Sequence, residues 1–157
     1  VGAMKLIGAF EGQFTGHIAV FATLAAFVPI IMGMGGNIGT QSLSITVRGL
    51  ATGRIDPQLL GRVILKEIRV GFLLGIACGI PLMLVGWLLN SSITLGLAVG
   101  LAICCNMIVA ALMGTLLPLF AVKLHIDPAV ASGPFVTTCS DIIGISIFFL
   151  IASIFLL

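Results

Sequence analysis

The sequence predicts an all-α fold, a polytopic membrane helix bundle with about five transmembrane helices. Hydrophobic residues make up 60% of the chain and charged residues only 8%, whereas soluble domains carry about 25% charged residues. The charge-free stretches are also long, and about 20 apolar residues are enough for one helix to cross the hydrocarbon core. We expect residues 1–157 to form a single transmembrane domain. The net charge of +2 is too small and dispersed to suggest a nucleic-acid partner.

Residues 1–10 are apolar apart from Lys5 and do not resemble a cleavable signal peptide. We therefore expect them to be the remainder of a truncated first helix. The polar segment 11–17, which ends at His17, is predicted to be an interfacial turn. No formal charge occurs from 12 to 47, so a second helix is expected to begin at Ile18 and to cross the membrane.

This second helix carries a polar stripe, because Asn37, Gln41, Ser44 and Arg48 are spaced 4, 3 and 4 residues apart on one face. Such a stripe either joins helices through hydrogen bonds or lines a hydrated route. The neighbouring glycines permit close backbone approach and local unwinding, and they favour the hydrated route. These glycines are Gly33, Gly35, Gly36 and Gly39.

The hydrophilic connector 49–69 follows, and Asp56-Pro57 is predicted to begin a short amphipathic helix in it. Glu67 lies next to Lys66 and is expected to be a surface residue. Residues 70–122 then contain no charge over 53 residues, which is enough for two crossings.

The turn between these two crossings is predicted at residues 90–92, with Trp87 as an interfacial anchor. Glycines at four-residue spacing predict close packing of the two helices. They are Gly71, Gly75 and Gly79 on the first helix and Gly96 and Gly100 on the second.

The last helix is predicted to begin at Asp127-Pro128 and to place a single charge, Asp141, within the membrane. A charge at that depth costs about 2.5–3.5 kcal/mol on insertion scales. Thr137 and Thr138 precede Asp141 by four and three residues, so their hydroxyls are expected beside its carboxylate. Gly133-Pro134 is expected to break or kink the helix and to free backbone carbonyls. Asp141 is then either a protonated group bonded to a neighbouring helix or a cation site, and we favour the cation site.

Enzymatic chemistry is not expected, and no catalytic residue is assigned. An aspartyl intramembrane protease needs two membrane carboxylates, and a serine type needs a membrane histidine, whereas His17 and His125 are expected in turns. The cysteines lie in apolar runs and predict packing rather than disulfides or a soft-metal site. They are Cys78, Cys104, Cys105 and Cys139.

The distribution of basic residues predicts the orientation. Six Lys and Arg residues fall in 48–69 and at Lys123, and Lys5 alone falls on the other side. Basic loops stay in the cytoplasm, so 48–69 and 123–127 are predicted to be cytoplasmic and the C-terminus external. Asn37 and Asp141, on oppositely running helices, are then expected near the same level of the membrane.

Three motifs make the resemblance to a known family specific: PIIMGMGGNIGTQSLSITVRGLATG at 29–53, LKEIRVG at 65–71 and DPAVASGPFVTTCSDIIG at 127–144. From Gly8 onward the chain resembles the membrane domain of the MgtE family of magnesium channels. The resemblance implies five helices per subunit and a homodimer in the cell membrane. Its pore lies on the dimer axis and is lined by the second and fifth helices, with Asp141 binding Mg²⁺.

We expect Asp141 to form the metal site with Thr137, Thr138 and Gly133, whose hydroxyls and backbone carbonyls would serve the water shell of the ion. The pore lining would be Asn37, Gln41, Ser44 and Pro134. The expected partners are a second copy, membrane lipid and Mg²⁺, the transported ion, which keeps several waters and is held by one or two carboxylates. The alternative is a proton- or sodium-coupled divalent cation carrier, because a lone membrane Asp can relay protons.

Two departures from the family pattern accompany the resemblance. The family often has Asn where this chain has Gly133, so a side-chain contact at the pore is replaced by backbone or water. The family's cytoplasmic N and CBS regulatory domains and most of its first helix are not matched in the chain.

Overall fold

The computed structural model describes residues 4, 5, 7, 8, 18–56, 59–128 and 131–156. Four long helices follow one another in these ranges: α1 (Ile18–Ala51), α2 (Leu60–Asn90), α3 (Ile93–Lys123) and α4 (Gly133–Leu156). Each is long and apolar enough to cross a membrane, which confirms the all-α, multi-pass prediction. They correspond to the predicted second to fifth helices. Of the predicted first helix, the described residues 4, 5, 7 and 8 are helical, and the predicted turn with His17 lies outside the described residues.

Helix α1 is continuous over 34 residues, with Pro29 inside it. The local unwinding that the glycines permit does not occur. Gly35, Gly36 and Gly39 do approach other helices closely, whereas a Cβ on Gly33 would meet nothing within 4 Å. A Cβ on Gly35 would lie 2.9 Å from Nδ2 of Asn106 in α3, and one on Gly36 would lie 3.3 Å from Cγ2 of Thr137 in α4. A residue without a side chain is needed at these two positions because two helices pack against α1 at the same level.

Helices α2 and α3 form the predicted hairpin. Ser91 adopts a left-handed conformation with φ of 49°, and the hydroxyl of Ser92 accepts a hydrogen bond from the Leu95 amide at 3.3 Å. The predicted glycine face packs tightly, because a Cβ on Gly75 would lie 2.8 Å from Cα of Cys104. Such small residues let the backbones of membrane helices come close together.

Helix α3 is the centre of the bundle and packs against the three other long helices. Residues buried along it meet α1 and α4 in one apolar core, which includes Phe27, Ile103, Met107 and Phe148. The core also encloses one amide, Asn106, which is 1% exposed and donates from Nδ2 to the carbonyl of Ile31 at 2.9 Å. Because α3 is buried on several sides, its apolar residues are not confined to one face of the helix.

Two predicted helix starts are wrong. No separate short helix follows Asp56 in the described residues, since α2 runs unbroken from Leu60 to Asn90. Helix α4 begins at Gly133 and not at Asp127-Pro128, because the chain first makes a turn in which the Ala131 amide donates to the Pro128 carbonyl at 3.2 Å. Gly133-Pro134 therefore begins the helix instead of kinking it, and proline is well tolerated in a first turn.

The surface role expected for Glu67 is also wrong. Its side chain is buried, at 5% exposure, and Oε2 accepts a hydrogen bond from the hydroxyl of Ser42 in α1 at 3.1 Å. The ammonium of Lys66 lies 3.5 Å from Oε1. One turn further along α1, the hydroxyls of Thr46 and Thr115 lie 3.0 Å apart. These contacts join the α2–α3 hairpin to α1.

The four cysteines, Cys78, Cys104, Cys105 and Cys139, are free and half-buried. The prediction that they form no disulfide is confirmed. Each lies within one of the long helices, where it packs as a small apolar side chain.

Candidate cation site

A cavity of about 390 Å³ lies between α1 and α4. Polar groups from both helices face it: Asn37 and Thr40 from α1, and Thr137 and Asp141 from α4. Its remaining lining residues are small or flexible, namely Met32, Gly33 and Gly36. The two polar stretches of the sequence therefore meet in one place.

Asp141 is positioned by the third turn of α4, eight residues after the helix begins at Gly133. Its Oδ1 atom is buried and has no hydrogen-bond partner among the described residues. A buried polar atom without a partner is costly and rare in native structures. Asp141 therefore combines one buried oxygen atom that lacks a partner with a place in the lining of a polar cavity.

The threonines of α4 bond to their own helix. Thr137 and Thr138 donate their hydroxyl protons to the carbonyl of Pro134, at 3.0 and 2.7 Å. The oxygen lone pairs of each hydroxyl remain available as acceptors. Thr137 lines the cavity, whereas Thr138 is exposed and does not.

The polar stripe of α1 lies on one face of that helix, as its spacing predicts, and this face is exposed. Asn37, Gln41, Ser44 and Arg48 are all exposed. The hydroxyl of Ser44 donates to the carbonyl of Thr40 at 2.8 Å. An amide or hydroxyl that faces lipid costs several kcal/mol without a hydrogen-bond partner. This face of α1 therefore requires water or another polar surface in the membrane.

The side chain of Asn106 lies between the two helices that line the cavity, although it is not part of the lining itself. It fills the space between Gly35 of α1 and Gly144 of α4, since a Cβ on Gly144 would overlap Oδ1 of Asn106. Asn106 holds α1 through the hydrogen bond to Ile31. The amide therefore fixes the spacing of the two helices that carry the polar lining.

The cavity has the size and chemistry for a hydrated hard cation. The cavity volume of about 390 Å³ leaves room for several waters, since one water needs only about 10–15 Å³ of volume measured in this way. The atoms that could act as metal ligands in this cavity are oxygen atoms, which suit Mg²⁺ or Ca²⁺ better than soft metals. The described residues contain no cluster of three or more His, Cys, Asp and Glu. A direct all-protein cage is therefore absent from this part of the chain, and contact through water fits the lining.

The structure brings three of the predicted site residues to the cavity, Asn37, Thr137 and Asp141. The other five lie outside its lining: Thr138, Gly133, Pro134, Gln41 and Ser44. Gly133 is nearby, because a Cβ there would lie 3.6 Å from Cγ2 of Thr40.

Sequence reasoning missed Thr40 and Asn106. Thr40 lies three residues after Asn37, so helical spacing alone places it beside that stripe. Asn106 is the single amide in the sequence of α3, and an isolated amide in an apolar helix is a signal for an interhelical contact.

Comparison with known proteins decides the family. The model of the MgtE family, described as divalent cation transporters, matches residues 28–151. The chain belongs to the MgtE family. As predicted, this is a family of transporters and not of enzymes.

Three curated relatives are each named as the magnesium transporter MgtE. The protein from Enterococcus faecalis is 44% identical over 133 residues, which cover 85% of the chain and 29% of the relative. The protein from Bacillus subtilis is 34% identical over 95% of the chain and 33% of the relative. The protein from Thermus thermophilus is 37% identical over 91% of the chain and 32% of the relative. The chain thus spans about a third of the length of the curated relatives it matches.

Proposed function

We propose that this MgtE-family chain is the membrane pore domain of a magnesium channel, in which Asp141 is the central cation-binding carboxylate. The observation that carries the proposal is the place of Asp141, the carboxylate of α4, in the lining of a polar cavity between α1 and α4. The buried Oδ1 atom of the same carboxylate also lacks a hydrogen-bond partner among the described residues. The names of the relatives supply the ion, Mg²⁺. In this proposal Thr137 accepts hydrogen bonds from the water shell of the ion, and Asn37 lines the same path.

Two copies are proposed to meet along α1 and α4 in the cell membrane. The exposed amides of Asn37 and Gln41 support this arrangement, since lipid leaves such groups without partners. Ser44 and Thr138 are exposed as well, although their hydroxyls donate to carbonyls of their own helices. Gly133 and Pro134, at the beginning of α4, complete the proposed lining. Two Asp141 carboxylates across a two-fold axis would balance the charge of one divalent ion, whereas one carboxylate would not.

The pair of carboxylates also gives a reason for selectivity. Two close carboxylates repel each other until a cation of matching charge lies between them. Mg²⁺ releases its waters reluctantly and is usually held through them by one or two carboxylates. A site that binds the hydrated ion is therefore expected to favour divalent over monovalent cations.

The decisive experiment measures Mg²⁺ flux into vesicles that contain the purified protein. Asp141→Ala is expected to reduce the flux at least tenfold while the protein still folds, because the site loses its charge. Asp141→Asn keeps the side-chain size and is expected to lower divalent selectivity. Asp127→Asn is the matched control, since Asp127 lies in the turn between α3 and α4, away from the cavity lining.

Undiminished flux in Asp141→Ala would overturn the proposal, as would Asp141→Asn protein that excludes monovalent ions as well as the parent does. An ion site inside each subunit, far from a two-fold axis, would contradict the dimer pore. The alternative function is a proton- or sodium-coupled carrier, because a lone carboxylate in the membrane can also relay protons. Single-channel currents would support the channel, and saturable flux coupled to protons would support the carrier.

A further inference from the structure

A second polar site lies at the beginning of α2, away from the cavity between α1 and α4. Four basic residues line a groove of about 620 Å³: Arg54, Arg62, Lys66 and Arg69. One acidic residue, Asp56, also lines it. The formal charge of these five side chains is positive, and all five are exposed. The groove therefore suits an anion.

The beginning of α2 adds a second reason for an anion. The helix has no acidic residue in its first turn, and its N-cap residue, Leu59, makes no side-chain capping bond. The first amides of a helix point outward and carry a partial positive charge, which favours negative groups. Arg62 in this turn has the unfavourable sign for a helix beginning. An anion in the groove would pair with both the helix end and the basic side chains.

The groove continues into an apolar track along the same face of α2. Arg62, Lys66 and Arg69 are spaced 4 and 3 residues apart, and Leu73 follows four residues later on the same stripe. Leu73, Ile76 and Ile80 are exposed large apolar side chains, at 66%, 38% and 52% exposure. A ligand that follows this stripe has a negative head and an apolar tail.

We propose that this groove, formed by Arg54, Arg62, Lys66 and Arg69 with the track of Leu73, Ile76 and Ile80, binds an anionic phospholipid. The lipid phosphate would lie among the guanidinium groups, which pair with phosphate oxygens in a bidentate manner. One acyl chain would follow the apolar track. Basic pockets at the cytoplasmic ends of membrane helices bind anionic headgroups in this way.

The turn after α1 places Arg54 over the groove. Gly53 adopts φ of 69°, and the Arg54 amide donates to the Gly49 carbonyl at 2.9 Å. Lys66, at the middle of the groove, is held by the ion pair with Glu67. Because Glu67 also accepts from Ser42 of α1, a headgroup bound to Lys66 would lie next to the contact that joins the hairpin to α1. The site is independent of the proposed channel activity.

The test is native mass spectrometry of the detergent-purified protein with added dioleoyl phosphatidylglycerol or dioleoyl phosphatidylcholine. The parent protein is expected to retain phosphatidylglycerol at least tenfold more strongly than phosphatidylcholine. The Arg62→Gln/Arg69→Gln protein is expected to lose this preference. Lys123→Gln is the matched control, because Lys123 is a basic residue outside the groove, and it is expected to keep the preference.

Further measurements separate a lipid from a free anion. Millimolar inorganic phosphate is expected not to displace phosphatidylglycerol, and Leu73→Ser is expected to weaken lipid retention several-fold, because the tail loses its track. Displacement by phosphate, an unchanged Leu73→Ser protein, or equal retention of the two lipids by the parent would overturn the proposal. If the double variant does not fold, the single variants Arg62→Gln and Arg69→Gln are compared, and parent-like preference in both would overturn it equally.

Discussion

Gly71 and Gly61 lie on the same helix, α2, but in opposite surroundings. A Cβ on Gly71 would lie 2.6 Å from Cα of Ile108, and 3.0 Å from the backbone nitrogen of Ile108 and the carbonyl oxygen of Met107. These are backbone atoms of α3, so a change of side-chain rotamer cannot relieve the overlap. A Cβ on Gly61 would meet nothing within 4 Å. Alanine substitutions at the two positions therefore distinguish the effect of close packing from the effect of helix propensity.

The expected magnitudes follow from this geometry. Alanine stabilises a helix interior by about 1 kcal/mol relative to glycine. Gly61 is the second residue of α2, so Gly61→Ala is expected to gain at most this much. Gly71→Ala has the full interior gain but adds overpacking, which costs about 1–3 kcal/mol. The 2.6 Å approach to a backbone atom places the cost of overpacking near the upper limit. Gly71→Ala is therefore expected to be less stable than Gly61→Ala by about 2–3 kcal/mol.

The assay is reversible unfolding in mixed micelles with increasing denaturing detergent, followed by tryptophan fluorescence. Trp87 is the single tryptophan and packs against Gly96 across the hairpin, so its emission reports on separation of α2 and α3. The quantity compared is the free energy of unfolding of each variant. A Gly71→Ala protein as stable as Gly61→Ala would refute the close-packing argument.

Two further predictions concern the join to α1 and the orientation. Glu67→Ala is expected to lower the free energy of unfolding by about 1.5–3 kcal/mol, because Ser42 loses its charged acceptor. Glu67→Gln keeps an acceptor oxygen and is expected to cost less. Equal losses for the two variants in the same unfolding assay would contradict this reasoning. Cysteines introduced at Arg54 and His125 are expected to react with an impermeant maleimide from the cytoplasmic side, and one at Ser91 from outside, because basic loops stay in the cytoplasm. Labelling of Arg54 and Ser91 from one side would exclude the two crossings between them.

The features that the sequence predicted well follow from length and spacing. A charge-free run of 53 residues is too long for one crossing, so the turn near Ser91 could be located before the structure. The four-residue spacing of Gly71, Gly75 and Gly79 predicted the tight face of the hairpin. The spacing of Asn37 and Gln41 likewise predicted that they share one face of α1. These properties belong to single helices, and sequence periodicity reports on them directly.

The errors concern contacts between helices. Glu67 resembled a surface residue because basic residues surround it in the sequence, but its neighbour in space is Ser42, 25 residues earlier. Helical periodicity does not say which face of α2 meets α1. The beginning of α4 was misplaced because Asp-Pro is a strong helix-start signal. The turn from Pro128 to Ala131 and a proline in the first turn of α4 favour the later start at Gly133.

The amide of Asn106 has a consequence for how the cavity can change shape. It is a spacer one side chain thick, in contact with α1 at Gly35 and with α4 at Gly144. These two helices therefore cannot move closer together on the α3 side while the amide remains in place, and the central helix limits their spacing there. Helix α2 packs chiefly on α3 and makes few contacts with α1, so it contributes little to this spacing.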